Sequence, residues 1–330
     1  MTRAITAICR RRHWTTYYKL IERGHVRTVP LARALFALVQ AVLPSQTLSL
    51  VIDDTLVPRS SDSAPGCTLR HDHRRKTNRP EYLLSQCWVT LGVSVRGLGH
   101  AKLVLPILSR WVPSTGNRHK LNIALALVRA PVVSVPIRVL FDSWFMRARL
   151  VLPWLQRQCH VIGQARYDTA RFLPPLPPTG KRRGRPRKYG QRLTPALVAA
   201  LPATTLSLFL YGKEQTVRWR SLVALAHFLK AAPVCAVWCE FCDPDHNTWS
   251  KPRWLLATET TLSAETIVRL YARRWGIGVS REGHTFQSVE VRPRLKDSGL
   301  VAWEAPWRES KTVEPSDNLF RKEQAQPIRL

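Results

Sequence analysis

The segment TLSLVIDDTLV, residues 47–57, decides the fold class of this chain. It is an apolar run that ends in two consecutive aspartates, Asp53 and Asp54, and its length and composition predict a buried β-strand. A second apolar run, PIRVLFD at residues 136–142, ends in the same way at Asp142. In α/β sheets, functional sites form beyond the carboxyl ends of neighbouring strands. The two segments therefore predict an α/β fold with a candidate site at Asp54 and Asp142.

The segments around these two strands predict the rest of an α/β core. Apolar residues recur at helical spacing in some segments, and in others they form runs typical of strands. The predicted helices are 31–43, 117–130 and 143–158, and the further strands are 83–95, 100–112 and 160–166, the first two joined by RGLG as a hairpin. The core is therefore a mixed sheet with an antiparallel lead-in and flanking helices.

Changes in composition divide the chain into five segments. Ser263 is the predicted N-cap of the helix that follows the third boundary. The segments are a helical N-terminal part (1–46), the first part of the core (47–166), a β-rich basic insertion (167–260), a helix (261–277) and a tail without apolar periodicity (278–330). A tail of this kind predicts disorder.

The charge balance indicates a polyanionic partner. The chain carries a formal net charge of +29 and has a pI near 11.0. Residues 278–330 hold nine of the 51 basic and eight of the 22 acidic residues, which leaves 42 and 14 for residues 1–277. Such an excess is uncommon in enzymes of small metabolites and favours nucleic acid. An anionic membrane surface is the alternative, although the longest N-terminal apolar run, 31–43, is too short to span a bilayer.

The cysteines favour a reducing, cytoplasmic location. There are seven, an odd number scattered along the chain. Arginines 10–12 stand where a signal peptide would need apolar residues. Four residues have the spacing C-x3-C-x2-C-x3-H, a zinc-like pattern: Cys235, Cys239, Cys242 and His246. The alternation of VCAVWCEF favours a strand instead, which turns Cys242 away from the other two cysteines.

Two carboxylates beyond neighbouring strands suit divalent-metal chemistry on phosphodiesters. Carboxylate oxygens are ligands that Mg²⁺ prefers, and two such ions about 3.5–4 Å apart can stabilise both the attacking and the leaving oxygen. A structural alternative exists for each residue. Asp142 has the position of a helix N-cap, and Asp53 and Asp54 could mark a simple transition from strand to turn.

The most concentrated charge lies in KRRGRPRK, residues 181–188. Gly184 and Pro186 favour an extended backbone there. An extended Arg-Gly-Arg-Pro segment fits a narrow A·T minor groove and resembles the AT-hook motif. The alternative is a solvated loop with non-specific phosphate contacts. The candidate DNA-binding residues are Arg182, Arg183, Arg185 and Arg187. RHDHRRKTNR, residues 70–79, is a second basic loop with the same two interpretations.

Four segments together resemble the DDE transposases of bacterial insertion sequences, of the cut-and-paste type with an inserted β-domain. They are LVIDDTLVPR (50–59), NRPEYLLSQCWV (78–89), RVLFDSWFMR (138–147) and YARRWGI (271–277). The resemblance implies an RNase H-like fold in which the first and fourth strands are parallel neighbours. It also implies Mg²⁺-dependent nicking and strand transfer at transposon ends, with Mn²⁺ as a possible substitute.

The same resemblance assigns residues and partners. Asp54 and Asp142 would be the first two catalytic carboxylates and metal ligands, and Tyr271 and Arg274 would contact DNA phosphates. The partners would be double-stranded DNA, as terminal repeats and as target, and a second copy of the chain bound to DNA. The location would be the bacterial cytoplasm, at the nucleoid, with no membrane association.

The third carboxylate of the family pattern is missing. The signature Y-x2-R-x3-E-x6-K is matched by Tyr271 and Arg274, but position 278 is Gly and position 285 is Thr. Glu282 lies one helical turn further on, about 6 Å along the axis, and glycines on both sides of it disfavour a helix. We therefore expect a catalytically impaired transposase whose family sequence ends at residue 277, as a frameshift would produce. The alternative is a non-catalytic DNA-binding remnant.

Overall fold

The computed structural model describes the chain in blocks. They are residues 13, 15, 16, 19, 23, 27–63, 66–72, 80–96, 102–113, 117–131, 135–177 and 184–277. The predictions for Arg182 and Arg183, and those for the tail that begins at Gly278, lie outside these residues. In the described part of the chain, no helix is both long enough and apolar enough to cross a bilayer.

Helices precede, follow and interrupt the strands, as the apolar spacing predicts. The described helices are α1 (Thr28–Val42), α2 (Asn117–Val128), α3 (Ala148–Leu155), α4 (Pro195–Ala199) and α5 (Ala264–Ala272), with 3₁₀ turns at His227–Leu229 and Arg273–Trp275. The described strands are β1 (Leu48–Pro58), β2 (Thr68–His71), β3 (Tyr82–Arg96), β4 (Lys102–Val112), β5 (Ile137–Phe141), β6 (Cys159–Ala165), β7 (Arg171–Phe172), β8 (Thr204–Leu210), β9 (Lys213–Ala226), β10 (Pro233–Asp243), β11 (Thr248–Trp249) and β12 (Arg253–Ala257).

The centre of the sheet has the RNase H-like arrangement. Strands β4, β3 and β1 are antiparallel neighbours. Strand β5 lies beside β1 in parallel, with Val51 opposite Leu140, and β6 lies parallel to β5. The predicted parallel pairing of the two aspartate-bearing strands is therefore confirmed. The prediction that the first strand ends at the aspartates is wrong, because β1 continues to Pro58 along β3; Asp53 and Asp54 lie inside β1, just after its pairing with β5 stops at Val51.

Apolar side chains alternate between the two faces of this sheet. Leu50 and Ile52 of β1 pack with Phe36 of α1 and Trp154 of α3 on one face. Val51 packs with Ile267 of α5 on the other face. Since successive residues of a strand point to opposite sides, β1 carries one helical layer on each face. This alternation decides the surroundings of the two aspartates that follow.

Helix α5 forms for local reasons that the sequence shows. The Ser263 side chain accepts a hydrogen bond from the Thr266 backbone N–H at 3.2 Å, which confirms the predicted N-cap. Glu265 in the first turn pairs with Arg269 one turn later, at 2.7 Å. The apolar stripe of the helix is buried on the sheet, and the chain continues from α5 through a 3₁₀ turn to Ile277, which is fully buried.

The insertion is rich in strands, as predicted, and its strands extend the same sheet. Strand β12 pairs antiparallel with β6, and the order continues from there through β10 and β9 to β7. Strands β8 and β11 pair with β9 and β10 respectively. The five-segment division of the chain remains a prediction.

Two predicted elements need correction. Strand β2 extends into the stretch predicted to be the second basic loop, residues 70–79. It forms because the edge of β3 offers free backbone groups, where Thr68 pairs opposite Ser85. Helix α3 begins at Ala148 rather than at residue 143. The preceding residues form a turn, since the Asp142 side chain binds the backbone N–H groups of Trp144 and Phe145.

Candidate active site

Asp142 follows the last residue of β5 and is oriented by its own turn. Its Oδ1 accepts hydrogen bonds from the backbone N–H of Trp144 at 3.0 Å and of Phe145 at 3.3 Å. Burial raises the pKa of Asp142; the Arg274 charge opposes this increase, and the Asp54 charge adds to it. The Asp142 side chain therefore caps a turn rather than a helix. Oδ2 is the oxygen that can bind a ligand.

Asp54 lies on the face of the sheet that carries α2. Its Oδ2 is 2.7 Å from Nζ of Lys120, and both side chains are largely buried. The Cys87 thiol, on the neighbouring strand β3, donates to the same oxygen at 3.8 Å. Burial, followed by the Asp54 charge, raises the pKa of Cys87 to about 11, so this thiol stays protonated and remains a donor at neutral pH.

Asp53 lies on the opposite face, beneath α5 and the turn that follows it. Its Oδ1 is 3.7 Å from Nη1 of Arg274, whose side chain is only 10% exposed. Burial lowers the pKa of Arg274, but the charges of Tyr271, Asp53 and Asp142 outweigh it and raise that pKa overall. Arg274 therefore stays charged, and its charge acts on both Asp53 and Asp142.

Tyr271 and Arg274, the two matching residues of the family signature, are brought together beside the aspartates. The Tyr271 hydroxyl donates to Oε1 of Gln164 on β6, at 3.3 Å. The Arg274 guanidinium lies 5.6 Å from the Tyr271 ring centroid and 4.8 Å from that of Trp275. Both signature residues are buried. Their predicted contacts with DNA phosphates remain predictions.

The chemistry of the two carboxylates suits one hard divalent cation. Asp54 and Asp142 present only oxygen donors, and the charge of Asp54 contributes to the raised pKa of Asp142. A cation placed between them would relieve this repulsion, and Mg²⁺ commonly takes one or two carboxylates together with waters and phosphate oxygens. Within the described residues, no group of three or more His, Cys, Asp or Glu side chains could hold a metal. The donors therefore fit one ion, and a second ion needs a further ligand.

The comparison with known families decides the class of this site. Residues 1–225 match the family model described as DDE superfamily endonuclease. The chain belongs to this family of DDE endonucleases. No curated protein matches it in sequence. The family acts on DNA and generally uses divalent metals, which agrees with the transposase resemblance and with the pair Asp54 and Asp142. The match includes Asp54 and Asp142 but ends before Tyr271 and Arg274.

The basic loop of this endonuclease lies at the far edge of the sheet. Arg185 and Arg187 are exposed. The ends of the loop are pinned to β7, because Gly190 N–H donates to the Leu173 carbonyl at 2.9 Å and Leu173 N–H donates to Gln191 at 2.8 Å. Tyr189, two residues after Arg187, places its ring 5.4 Å from that of His227. His227 lines one cleft together with Met146 and Arg147, so the end of the basic loop lies beside the segment that follows Asp142.

Two further predicted sites of the endonuclease are the zinc-like pattern and the second basic loop. Cys235 and Cys239 are buried in β10, where Cys239 Sγ donates to the Arg253 carbonyl at 3.5 Å. His246 Nδ1 is instead 3.0 Å from Asp243 Oδ2. Cys239 and His246 of the zinc-like pattern therefore have other partners. Of the second basic loop, residues 73–79 lie outside the described part.

Sequence reasoning missed three residues of the site: Lys120, Cys87 and Gln164. One signal was available for Lys120. It precedes Ala124 and Leu127 by four and seven residues, so it shares the buried stripe of α2 with them. A lysine on the apolar face of a helix needs an anion. The aspartates of β1 are buried-strand carboxylates that could supply one. Cys87 and Gln164 carried no comparable signal, because each lies in an ordinary strand pattern.

Proposed function

We propose that this chain is a transposase of an insertion sequence, which cleaves DNA at transposon ends and transfers the cut strand to target DNA. The observation that carries the proposal is the pair Asp54 and Asp142, two carboxylates that act on each other just beyond the parallel pairing of β1 with β5 in a DDE endonuclease. Sites of open α/β sheets form at strand ends, and phosphodiester cleavage uses metal-binding carboxylates there.

In this proposal Asp54 and Asp142 hold Mg²⁺, with Mn²⁺ as a substitute. A bound divalent ion would polarise the scissile phosphate and favour ionisation of the attacking water or 3′-hydroxyl. The turn amides of Trp144 and Phe145 fix the Asp142 carboxylate before any ligand arrives. Arg274 contributes positive charge beside Asp142 from the α5 side, where it would help to orient the phosphate.

Double-stranded DNA is the proposed partner, and two basic regions support it. A cleft that begins four residues after Asp142, at Met146, is lined by Arg147, Arg166 and His227, among other residues. The exposed Arg185 and Arg187 belong to the loop whose end, Tyr189, packs beside His227 of this cleft. A terminal repeat that lies along the cleft would contact both basic regions. A homodimer bound to two ends, located at the bacterial nucleoid, completes the proposal.

The proposed activity of this copy is impaired. The signature glutamate would follow Arg274 by four residues, which is position 278, and this position is Gly. Without it, one carboxylate ligand is missing, and Glu282 is displaced along the chain by a further helical turn. We infer that a frameshift after residue 277 removed the family's C-terminal part. The alternative function is a non-catalytic protein that still binds terminal repeats.

A cleavage assay separates these functions. The purified chain is incubated with duplex DNA that carries the terminal repeat flanking its own gene, with Mg²⁺ or with EDTA. Metal-dependent nicking that Asp142→Ala abolishes supports the transposase, and retained binding without nicking supports the remnant. Absence of both binding and nicking would contradict both functions. Sequencing the locus tests the frameshift, since another reading frame should encode an E-x6-K segment.

A further inference from the structure

The Lys120 ammonium group makes two different interactions at the edge of the candidate metal site. Its Nζ is 2.7 Å from Oδ2 of Asp54, and the Lys120 side chain is 13% exposed. The same Nζ lies 3.9 Å from the centroid of the Trp144 ring and 5.4 Å from that of Phe145. One cation therefore has a carboxylate oxygen on one side and aromatic faces on the other.

We propose that Lys120 is a resident counter-ion that occupies Asp54 in the metal-free protein and must leave this carboxylate when a divalent ion binds. Lys120 is then a positioning residue that sets how tightly the site takes metal. The proposal rests on the metal site of the proposed function, and it adds a residue that the strand-end pattern does not contain.

The charges around the site explain why such a counter-ion is needed. Asp54 of β1 and Asp142, which follows the neighbouring strand β5, are both partly buried carboxylates. Arg274 balances Asp53 on the other face of the sheet. On the α2 face, the cation in contact with Asp54 is Lys120. Without metal, the Lys120 ammonium compensates the negative charge of the largely buried Asp54 carboxylate.

The aromatic rings explain how the ammonium can give way. Trp144 and Phe145 belong to the turn that Asp142 orients, so the rings stand next to the metal-binding carboxylates. A cation over the face of a tryptophan is attracted by the ring quadrupole. When metal takes Asp54 Oδ2, Lys120 can therefore leave the carboxylate and stay on the ring. Such a short movement costs less than expelling a buried cation into solvent.

Metal titration in the absence of DNA tests this role. Mn²⁺ binding to the full chain is measured by calorimetry for wild type, Lys120→Met and Lys120→Arg. Removing the competing charge should tighten Mn²⁺ binding by at least about tenfold, while the arginine variant should stay near wild type. A residue that only supported the fold would weaken binding when replaced. Equal or weaker binding by Lys120→Met, with its thermal unfolding still cooperative, overturns the proposal.

Two further variants keep the test decisive. Trp144→Leu removes the ring that receives the ammonium, so Mn²⁺ binding should weaken severalfold, and unchanged binding counts against the proposal even if Lys120→Met fails to fold. Asp142→Ala reports on the site itself. If Asp142→Ala abolishes the Mn²⁺ binding of the wild type and Lys120→Met does not tighten it, only the role of Lys120 is refuted. The metal site then stands. Absence of Mn²⁺ binding in all variants refutes both this role and the proposed metal site.

Discussion

Asp53 and Asp54 are consecutive in the chain, yet their carboxylates face opposite sides of the central sheet. Asp54 contacts Lys120 of α2 at 2.7 Å, and Asp53 lies 3.7 Å from Arg274 beyond α5. The separation follows from strand alternation, which places one helical layer on each face of β1. A pair of residues that looks redundant in the sequence therefore has two separate environments, and we expect it to have two separate functions.

Substituting each aspartate by asparagine should separate these functions. Asp53→Asn removes the carboxylate nearest to the largely buried Arg274 guanidinium, so we expect a loss of about 1–3 kcal/mol in the free energy of unfolding. Asp54→Asn should abolish Mn²⁺ binding, because it removes a proposed ligand. Urea unfolding and calorimetry measure the two effects. The reverse pattern, with metal binding lost only in Asp53→Asn, would show that Asp53 is the ligand.

Asp142→Asn should stabilise the metal-free protein. Burial raises the pKa of Asp142, so the folded state holds this proton more tightly than the unfolded chain does. As pH rises from the usual carboxyl pKa towards the raised value, the unfolded chain ionises first and wild-type stability falls. Asparagine lacks this cost and keeps the Oδ1 acceptor for the turn.

Thermal unfolding across the acid and neutral range measures this effect without metal. The stability advantage of Asp142→Asn should be near zero at pH 3, should grow with pH, and should level off above the raised pKa. A variant that is less stable than wild type at neutral pH would contradict the raised pKa.

Gly163→Ala should destabilise the strand pair that carries the site. A Cβ atom at this position in β6 would lie 2.8 Å from both Met146 Cε and Phe141 Cε2, and these residues flank Asp142. Such overpacking typically costs about 1–3 kcal/mol. Denaturant unfolding measures the loss, with Ser207→Ala at an exposed position of β8 as the control. If both variants match wild type, the packing around Asp142 is looser than the structure indicates.

The basic loop should contribute affinity for DNA without sequence preference. Replacing both Arg185 and Arg187 by alanine should weaken binding to duplexes of any sequence and reduce the slope of log K against log salt by about two. Arg157→Ala, exposed at the amino end of β6, is the matched control and should leave the slope unchanged. Weakening confined to A·T-rich duplexes would instead support the AT-hook interpretation.

Restoring the signature should restore cleavage if the missing glutamate is the defect. Gly278→Glu combined with Thr285→Lys recreates E-x6-K after Arg274. We expect Mg²⁺-dependent nicking of the terminal repeat to rise at least about tenfold above the parent chain if the helix continues, since the site regains a carboxylate ligand. Asp142→Ala in the same background should remove the gain. A gain that survives Asp142→Ala would point to a contaminating nuclease.

Local patterns were sufficient for the elements that bear the site. The apolar runs before Asp54 and Asp142 predicted β1 and β5, and Ser263 predicted the start of α5, because these signals depend on neighbouring residues. Strand β2 and the late start of α3 were missed for a common reason. Each depends on a competing partner, the open edge of β3 in one case and the Asp142 side chain in the other.

The sequence by itself determined the family, the RNase H-like order of strands, the two candidate aspartates and the absence of Glu at position 278. These properties lie in short segments whose composition and spacing are enough to identify them. Only the tertiary structure decided that Asp53 and Asp54 serve opposite faces, that Lys120 contacts Asp54 across 66 residues, and that the end of the basic loop packs beside the segment that follows Asp142. Such relationships depend on which helix covers which face and which strand takes the sheet edge, and packing of the whole chain settles both.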